Sequence, residues 1–376
     1  MRVGLGFTGA QGSRLGGKSN GIATYSEALL GALRTEFPRD QFCEVTFSLG
    51  NQRLRDPLRR AEIVSLQSVF AGRRYIPDAL FGTKMDLFHA LDHQIPAMTV
   101  PVVATVHDAC PLSMPHLVPG RFRALKNILY ARKCRMADQI VAVSEYSADE
   151  ISRFIGIDRK KIHVIYEGIA PHIEKEAKAG KNWDVIRQRH GLNRRYVAYC
   201  GSITRRKNIV RLIKAFHALP QSLRKEYQLV LIGGTFGGAL GEEVARVIAE
   251  AEADGDVRWL GRLPDEDMAR VLHHAELFAF PSLHEGFGLP IVEAFRLGVP
   301  VVTSQVTAMP EISGGASALV DPESVKSISD ALCMLLSDSN ARSELSALGM
   351  RRAGDFSWIN CANETAQVYN FALSAT

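Results

Sequence analysis

The stretch from Glu276 to Phe295 reads ELFAFPSLHEGFGLPIVEAF and joins a candidate strand, a glycine turn and a candidate helix. Its first part, ELFAFPS, is a short apolar run typical of a buried strand. The GFG turn lets the backbone approach a ligand closely, and Pro290 fits the first turn of a helix. Amides at a helix N-terminus suit a phosphate group. Here they belong to Phe287, Gly288 and Leu289.

Two carboxylates flank this turn. Glu285 precedes it and Glu293 lies about one turn into the helix, so both could accept hydrogen bonds from hydroxyls of a ligand whose phosphate sits on the amides. A phosphate between two carboxylates indicates a nucleotide sugar. The alternative is that both glutamates are ordinary surface acids beside a tight turn.

Length and composition limit the class of protein. A chain of 376 residues, 46% hydrophobic, predicts a globular protein of about two domains. No apolar run approaches the roughly 18–20 residues of a membrane span. The start, MRVGLGFTG, lacks the features of a signal peptide. The cysteines are scattered, without metal-ligand spacing, so we expect reduced thiols in a cytoplasmic protein. They are Cys43, Cys110, Cys134, Cys200, Cys333 and Cys361.

Strand-like and helix-like segments alternate along the whole chain. In the second half YVAYCGSI, QLVLIGG, VRWLG, ELFAFPS, PVVTS and SALVD are short apolar runs separated by helical segments. This alternation predicts βαβ units, parallel sheets and an α/β fold, with ligands at the carboxyl ends of the strands.

A polar, lysine-rich stretch near the middle, Ala170–Asp184, shows no apolar periodicity and is interpreted as part of a linker. We predict an N-terminal domain at residues 1–175, a linker at 176–190 and a C-terminal domain at 191–357. A final helix at 358–376 would complete the first domain. One large single sheet is the alternative architecture.

Basic residues follow the candidate strand YVAYC. Residues 201–208 read GSITRRKN and carry Arg205, Arg206 and Lys207. This position lies at the same sheet edge as the GFG turn, where a diphosphate would gain charge-assisted hydrogen bonds. The alternative is a solvated basic turn.

Two features of the first half are candidates for a ligand site. Gly17 and Gly21 lie between the first strand and its helix, but their spacing is not that of a dinucleotide fingerprint, and a flexible loop is an equal alternative. His107 ends the apolar run VPVVATV, where ligands bind in open α/β sheets. A structural histidine is the alternative for this residue.

The stretch RFRALKNILYARKCR (Arg121–Arg135) holds six cations, and no acid occurs between Asp108 and Asp138. Phe122, Leu125 and Leu129 recur at helical spacing. A basic amphipathic helix of this kind can lie on an anionic membrane. The alternative is a helix packed on its own domain with its arginines in solvent.

Together these residues resemble glycosyltransferase family 4, whose members are retaining, metal-independent enzymes. The resemblance implies the GT-B architecture, in which two Rossmann-like doubly wound domains face a central cleft. It is strongest in HEGFGLPIVEAF, in the following GVPVVTS and SALVDP, and in GSITRRKN; TVHD and KIHVIYEGI match more weakly. Two positions depart from the family pattern: Ser202 replaces a common arginine, and Glu167-Gly168 replaces a common Asn-Gly.

The resemblance implies a role for each candidate. Glu293 would bind ribose hydroxyls, Glu285 would lie beside the donor sugar, and His107 would contact that sugar near the reaction centre. Arg206 and Lys207 would neutralise the diphosphate in place of a metal. The implied catalytic residues are His107, Glu285, Lys207 and Arg206. The implied donor-binding residues are Gly201, Arg206, Lys207, Glu285, Gly286, Phe287, Gly288, Leu289 and Glu293, with Gly17 and Gly21 as cleft glycines.

The implied activity is transfer of a hexose to a saccharide or lipid-linked glycan in the synthesis of cell-surface polysaccharide or lipopolysaccharide. A GDP-mannose-type donor is favoured, because TAMPEISGG and HDACPL look most like relatives with such donors; UDP-sugars and dTDP-rhamnose are alternatives. No cofactor and no nucleic-acid partner is implied, and weak peripheral contact with the inner face of the membrane is expected. The alternative functions are a nucleotide-sugar 2-epimerase of the same fold and a non-catalytic nucleotide-sugar-binding subunit.

Overall fold

The chain folds into two units. The computed structural model describes residues 1–7, 21–45, 84–118, 120, 122–179, 183–234 and 239–374. The first unit comprises Met1–Gly168 together with Ser357–Thr376, and the second comprises Ile169–Phe356. Within the described residues each unit contains one six-stranded parallel sheet, and no strand pairing joins the two sheets. The predicted α/β class is therefore confirmed, and the alternative of one large sheet is wrong.

In the first unit, the sheet order is β2-β1-β3-β4-β5-β6. Every residue of β3, β4 and β5 is buried, as expected for strands covered on both faces. The strands are β1 (Arg2–Gly6), β2 (Gln41–Val45), β3 (Leu87–Ala90), β4 (Val102–Val106), β5 (Gln139–Ala142) and β6 (Ile162–Val164). The helices are α1 (Gly21–Glu36), α2 (Cys110–Ser113), α3 (Arg123–Arg135), α4 (Glu145–Glu150) and α15 (Trp358–Ser374).

In the second unit, the sheet order is β12-β11-β10-β7-β8-β9. The strand order reverses between β7 and β10, which is the switch point where doubly wound sheets bind ligands. The strands are β7 (Arg195–Cys200), β8 (Tyr227–Ile232), β9 (Val257–Gly261), β10 (Leu277–Phe280), β11 (Val301–Ser304) and β12 (Ser317–Val320). The helices are α5 (Pro171–Ala179), α6 (Trp183–His190), α7 (Ile209–His217), α8 (Gln221–Glu226), α9 (Ala239–Ala253), α10 (Asp265–His273), α11 (Leu289–Arg296), α12 (Met309–Ser313), α13 (Val325–Ser337) and α14 (Ser339–Ala353).

The stretch interpreted as a linker differs from the expectation, because most of its described residues form α5 and α6, which lie within the second unit. Ile173 of α5 is fully buried. Glu174 accepts two hydrogen bonds, at 2.7 and 2.9 Å, from the Arg296 guanidinium of α11, and Glu176 accepts one at 3.2 Å from Arg270 of α10. Two acidic residues of the stretch thus pair with arginines of its own unit.

Candidate active site

The loops after β7 and β10 lie side by side at the switch point of the second unit. The Leu283 amide donates to the Arg206 carbonyl at 2.8 Å, and the Asn208 side chain donates to the carbonyls of Pro281 and Pro322 at 2.9 and 2.7 Å. Asn208 directly precedes α7 and has a φ of +62°. Asparagine adopts this left-handed conformation more readily than most residues. These contacts bring the predicted basic loop and the predicted glutamate loop together.

A buried ion pair joins the two loops. The Lys207 ammonium donates to Glu285 Oε1 at 2.6 Å and lies 4.7 Å from the centre of the Phe280 ring. Lys207 is 8% exposed and Glu285 is 6% exposed. This geometry corrects the idea that Glu285 is an ordinary surface acid, and it excludes a solvated turn for Lys207. Arg205, in contrast, is exposed.

The electrostatics of the pair favour its charged form. Burial alone would raise the pKa of Glu285, but the nearby charges of Lys207 and Arg206 and the hydrogen bond from Lys207 hold that pKa below its ordinary value. Burial lowers the pKa of Lys207, and Arg206 adds to this, while Glu285 opposes the shift. Glu285 is therefore ionised near neutral pH, and its charge opposes the loss of the Lys207 proton.

The backbone of Glu285 is hydrogen-bonded to Thr307, a residue that the sequence analysis missed. Thr307 Oγ1 accepts a hydrogen bond from the Glu285 amide at 3.2 Å. Thr307 has a φ of +61°, which is strained for a β-branched side chain. Such strain tends to collect at functional sites. The stretch SQVTAMPE carries no local signal for this conformation, because the constraint comes from the neighbouring loop.

The GFG turn leads into α11 as predicted. Gly288 precedes the helix with a φ of +109°, and Pro290 stands in the first turn. The Phe287 ring is buried and meets the Phe356 ring edge-on at 5.6 Å between centroids. Its side chain therefore belongs to the core, and it is the backbone of the turn that lies at the helix N-terminus.

Glu293, one turn into α11, is buried. Burial raises the pKa of the neighbouring Cys200 thiol, the charge of Glu293 raises it further, and Lys207 opposes the shift. Cys200, at the end of β7, is thus close enough for the charges of Glu293 and Lys207 to shift its pKa. Four predicted residues are brought together at this edge of the second sheet: Arg206, Lys207, Glu285 and Glu293.

The close approach of the loops after β7 and β8 requires glycine. Gly201, with a φ of +149°, lies so close to Gly233 that a Cβ on Gly233 would sit 1.8 Å from the Gly201 carbonyl oxygen. Ile203 continues this contact by donating its amide to the Gly234 carbonyl at 2.9 Å. The loops after β7 and β8 therefore pack backbone to backbone beside the ion pair.

The first unit holds His107 at the end of β4. Its Nε2 lies 3.1 Å from the Leu91 carbonyl oxygen and its Nδ1 lies 3.3 Å from Glu167 Oε1. The ring of Tyr25 meets the imidazole edge-on, with 4.8 Å between centroids. Both ring nitrogens are thus engaged inside the first unit. Gly21 is the first residue of α1, whereas Gly17 lies outside the described residues.

Candidate ligands for a metal do not cluster. Across the part of the chain that the structure describes, no group of three or more histidine, cysteine, aspartate or glutamate side chains is arranged to hold an ion. At the switch point of the second unit, Lys207 and Arg206 are the cations whose charges act on Glu285.

Two family profiles match the chain. The profile described as Glycosyl transferases group 1 matches residues 184–351, and the profile described as Glycosyltransferase Family 4 matches residues 44–173. The first match contains the switch-point loops and the second contains His107 and Glu167.

Among similar proteins is the O-antigen chain mannosyltransferase B of Escherichia coli. It is 32% identical over 293 residues, which cover 77% of this chain and 76% of that protein. The serotype-specific mannosyltransferase WbdA of Escherichia coli is 31% identical over 75% of this chain, and the match spans 35% of WbdA. The MMP alpha-(1->4)-mannosyltransferase of Mycolicibacterium hassiacum is 28% identical, over 75% of this chain and 68% of that protein.

Solved structures share the fold. HepE of Anabaena, in complex with UDP and glucose, matches with a TM-score of 0.74 at 18% identity and covers 98% of this chain and 99% of its own. WaaG, described as a glycosyltransferase involved in lipopolysaccharide biosynthesis, matches with a TM-score of 0.70 at 15% identity and the same coverage. These likenesses confirm the predicted fold class, GT-B with two Rossmann-like domains.

Proposed function

Because the chain belongs to glycosyltransferase family 4 and is a glycosyltransferase, we propose that it transfers mannose from GDP-mannose to a growing glycan with retention of configuration. The observation that carries the proposal is the buried Lys207–Glu285 pair at the switch point, beside the N-terminus of α11. A cation, helix amides and carboxylates at one sheet edge match the phosphates and hydroxyls of a nucleotide sugar.

The second unit supplies the donor contacts. An ammonium group has three N–H donors, and Glu285 takes one, so Lys207 retains donors for phosphate oxygens. Arg206, which lies close enough to lower the pKa of Glu285, adds a second cation. Glu293 accepts from the ribose hydroxyls. Fixed charges stabilise the departing diphosphate without a metal, and such electrostatic stabilisation is usually the largest catalytic contribution.

Retention follows in this proposal from a front-face reaction, in which the departing diphosphate helps to deprotonate the acceptor hydroxyl. The glycosidic bond of the donor breaks, the acceptor oxygen bonds to the same face of the anomeric carbon, and the hydroxyl proton passes to the diphosphate. No protein nucleophile is needed, and Glu285 instead accepts hydrogen bonds near the sugar. We assign the acceptor to the first unit.

The names of similar proteins support mannose as the transferred sugar. Mannosyltransferases stand among the relatives that match most of this chain, and those from Escherichia coli are named for the O-antigen chain or for serotype. We therefore place the acceptor among the glycans of the cell surface. The UDP bound by HepE keeps UDP-sugars in the panel that tests the donor.

The test is release of nucleoside diphosphate. The full chain is incubated with GDP-mannose, UDP-glucose, UDP-galactose, UDP-N-acetylglucosamine or dTDP-rhamnose, with and without mannose oligosaccharides that carry an octyl aglycone. We expect GDP to appear only with GDP-mannose and an acceptor, and to persist in EDTA. Lys207→Met should abolish release, whereas Lys214→Met, on the exposed face of α7, should not.

Other outcomes identify the alternatives. Conversion of the nucleotide sugar to its epimer without an acceptor would indicate a 2-epimerase. Binding of nucleotide sugars without any turnover would indicate a non-catalytic subunit. Activity that EDTA abolishes and only magnesium or manganese restores would contradict the metal-free mechanism.

We also propose that α3 rests on an anionic membrane that carries the acceptor lipid. Phe122, which directly precedes α3, and Leu125 and Ile128 of α3 form an exposed apolar stripe, 69%, 52% and 52% accessible, while Ala131 and Cys134 of α3 face the core. Leu129, predicted for the stripe, is only partly exposed. The apolar side chains suit the interface of a membrane, and the cations around them match the charge of an anionic surface. Among the described helices, none is both long and apolar enough to cross a membrane.

Flotation with liposomes that contain phosphatidylglycerol tests this contact. We expect the parent chain to float at low salt and to be released as salt rises. Leu125→Ser combined with Ile128→Ser should reduce flotation. Met334→Ser combined with Ile359→Ser removes two equally exposed apolar side chains elsewhere and should leave it unchanged. Equal flotation of both double variants would remove the membrane proposal.

A further inference from the structure

We infer that Glu167 is a positioning residue that holds His107 in one orientation as a doubly protonated imidazolium. The catalytic consequence of this inference rests on the proposed function. Glu167 stands where the family pattern commonly has asparagine, and neither the sequence analysis nor the resemblance gave it a role. The structure places its carboxylate against the imidazole at 3.3 Å.

The geometry of the two contacts requires two protons. The Leu91 carbonyl, 3.1 Å from Nε2, can only accept a hydrogen bond, and so can an ionised Glu167 carboxylate, 3.3 Å from Nδ1. A neutral imidazole has one N–H and one bare nitrogen, so it would satisfy one acceptor and turn a lone pair towards the other. Only the doubly protonated ring donates to both oxygens.

Packing holds the ring in this orientation. Tyr25 meets the imidazole edge-on, and Trp358 meets Tyr25 edge-on, with 5.7 Å between those centroids. The Tyr25 hydroxyl is fixed by Thr105 at 3.0 Å, and Thr105 is in turn within 2.8 Å of His89 Nε2. The imidazole therefore packs against the Tyr25 ring of α1, and its two acceptors lie in the loops after β3 and β6.

The charged and titratable groups around His107 favour its protonation. Burial by itself lowers the pKa of His107, but Glu167, the Leu91 carbonyl and the charge of Asp108 raise that pKa above its ordinary value. His89 stays neutral, since burial and the charge of His107 lower its pKa to about 3. The pKa of Tyr25 is raised by burial, so the phenol carries no charge.

This arrangement changes the expected role of His107. Because both nitrogens donate within the first unit, the residue offers a fixed positive charge rather than a free N–H for the donor sugar. A glutamate at position 167 supplies a counter-charge that asparagine lacks. The Glu167 carboxylate makes the largest contributions that raise the His107 pKa against the effect of burial. Without this carboxylate, the imidazole becomes neutral at a lower pH.

The experiment is a pH titration of the histidine ring by NMR in the full chain. The His107 signals are assigned by their absence in His107→Gln. We expect the His107 ring of the parent to titrate above pH 6.5, and that of Glu167→Gln to titrate below pH 6.5. Glu364→Gln, which removes a carboxylate of α15 in the same unit, should leave the His107 titration unchanged.

The kinetic measurement is the pH dependence of kcat for GDP release in parent and Glu167→Gln. Each unit by which the His107 pKa falls lowers the protonated fraction about tenfold at higher pH. We therefore expect the alkaline limb to move to lower pH, with about a tenfold loss of kcat above both limbs for each unit of displacement and little change in KM. Circular dichroism and thermal melting show whether the variant is folded, and Glu167→Asn serves as a second variant if it is not.

The outcomes separate this inference from the proposed function. An unchanged His107 titration in folded Glu167→Gln or Glu167→Asn would overturn the inference, whatever the activity. A shifted titration in a chain that transfers no sugar from any donor would support the positioning of His107 and overturn the proposed function instead.

Discussion

The buried pair of Lys207 and Glu285 has consequences for stability and, in the proposed function, for the chemistry. Each is buried, so each would be costly alone, and their 2.6 Å contact offsets the loss of water around both. The pair therefore stands preformed at the position where a diphosphate is proposed to bind.

Lys207→Met should leave the Glu285 carboxylate buried without its ammonium. Removing one partner of a buried pair costs about 3–5 kcal/mol, so we expect the free energy of unfolding to fall by that order. Adding Glu285→Gln should restore most of the stability while turnover stays lost. Urea unfolding followed by tryptophan fluorescence measures the first effect and GDP release the second. A single variant as stable as the parent would show that the pair is not formed in solution.

Glu293→Ala should weaken nucleotide binding and leave the fold intact. A hydrogen bond to a charged acceptor is worth about 1.5–3 kcal/mol, which predicts a loss of GDP affinity of roughly ten- to a hundredfold. Calorimetric titration with GDP measures it. Glu323→Ala, on an exposed loop of the same unit, is the control. Equal affinity of the Glu293 variant and the parent would exclude a ribose contact.

His89 makes stability depend on pH. Its folded pKa of about 3 lies below the unfolded value near 6.5, so below pH 6.5 the unfolded chain binds a proton that the folded chain does not. Stability should therefore fall as the pH drops from 6.5 towards 3, by up to about 5 kcal/mol from this group. Urea unfolding from pH 7 to 4 should show a shallower fall in His89→Gln. Identical slopes would contradict a neutral buried His89.

Helix α15 shows how a segment distant in sequence completes a domain. It packs beside α1, and Tyr369 donates or accepts a hydrogen bond at 2.7 Å with His89 Nδ1. At its start the chain passes so close to Gly168 that a Cβ there would lie 2.3 Å from the Trp358 backbone nitrogen. Gly168 is thus required by the contact between the end of one segment and the start of another.

Gly168→Ala should destabilise the first unit by about 1–3 kcal/mol, as overpacking does. Gly31→Ala is the matched control, because Gly31 lies on the exposed face of α1 and a Cβ there meets no atom within 4 Å. We expect Gly31→Ala to stabilise the chain by about 0.5–1 kcal/mol. Thermal and urea unfolding report both. The same direction of change in the two variants would contradict the packing described for Gly168.

The elements of the candidate donor site were largely predictable because their signals are local. The apolar run of β10, the GFG turn and Pro290 predict strand, turn and helix without tertiary information. Glu167, Thr307 and the helices at the supposed linker were missed for a shared reason. Their roles depend on residues far along the chain: His107 for Glu167, Glu285 for Thr307, and Arg296 for Glu174 of α5.

The whole molecule consists of two units that each carry part of the proposed chemistry. The second unit follows the doubly wound order and places its charges at the switch point, where the fold itself favours ligands. The first unit contains His107 with its partner Glu167, and α3 with its exposed apolar stripe. Alternation along the chain predicted both sheets, because each βαβ unit is encoded by its own short apolar runs.

Binding of the released nucleotide should stabilise the chain as a whole. A ligand that binds only the folded state raises stability by about 2.7 kcal/mol at a hundred times its dissociation constant. We expect GDP to raise the melting temperature more than UDP or dTDP, and Lys207→Met to reduce the shift. A larger shift with UDP would reassign the donor without affecting the proposed roles of Lys207 and Glu293.

The central claim is transfer of a hexose from a nucleotide sugar with retention, and the anomeric configuration of the product tests it most directly. The measurement is the one-bond carbon–hydrogen coupling at the new anomeric centre after transfer from ¹³C-labelled GDP-mannose to an octyl mannoside acceptor. We predict an α-linked product, the configuration of the donor, made by the parent and absent with Lys207→Met. A β-linked product, or free mannose without any linked product, would contradict the account.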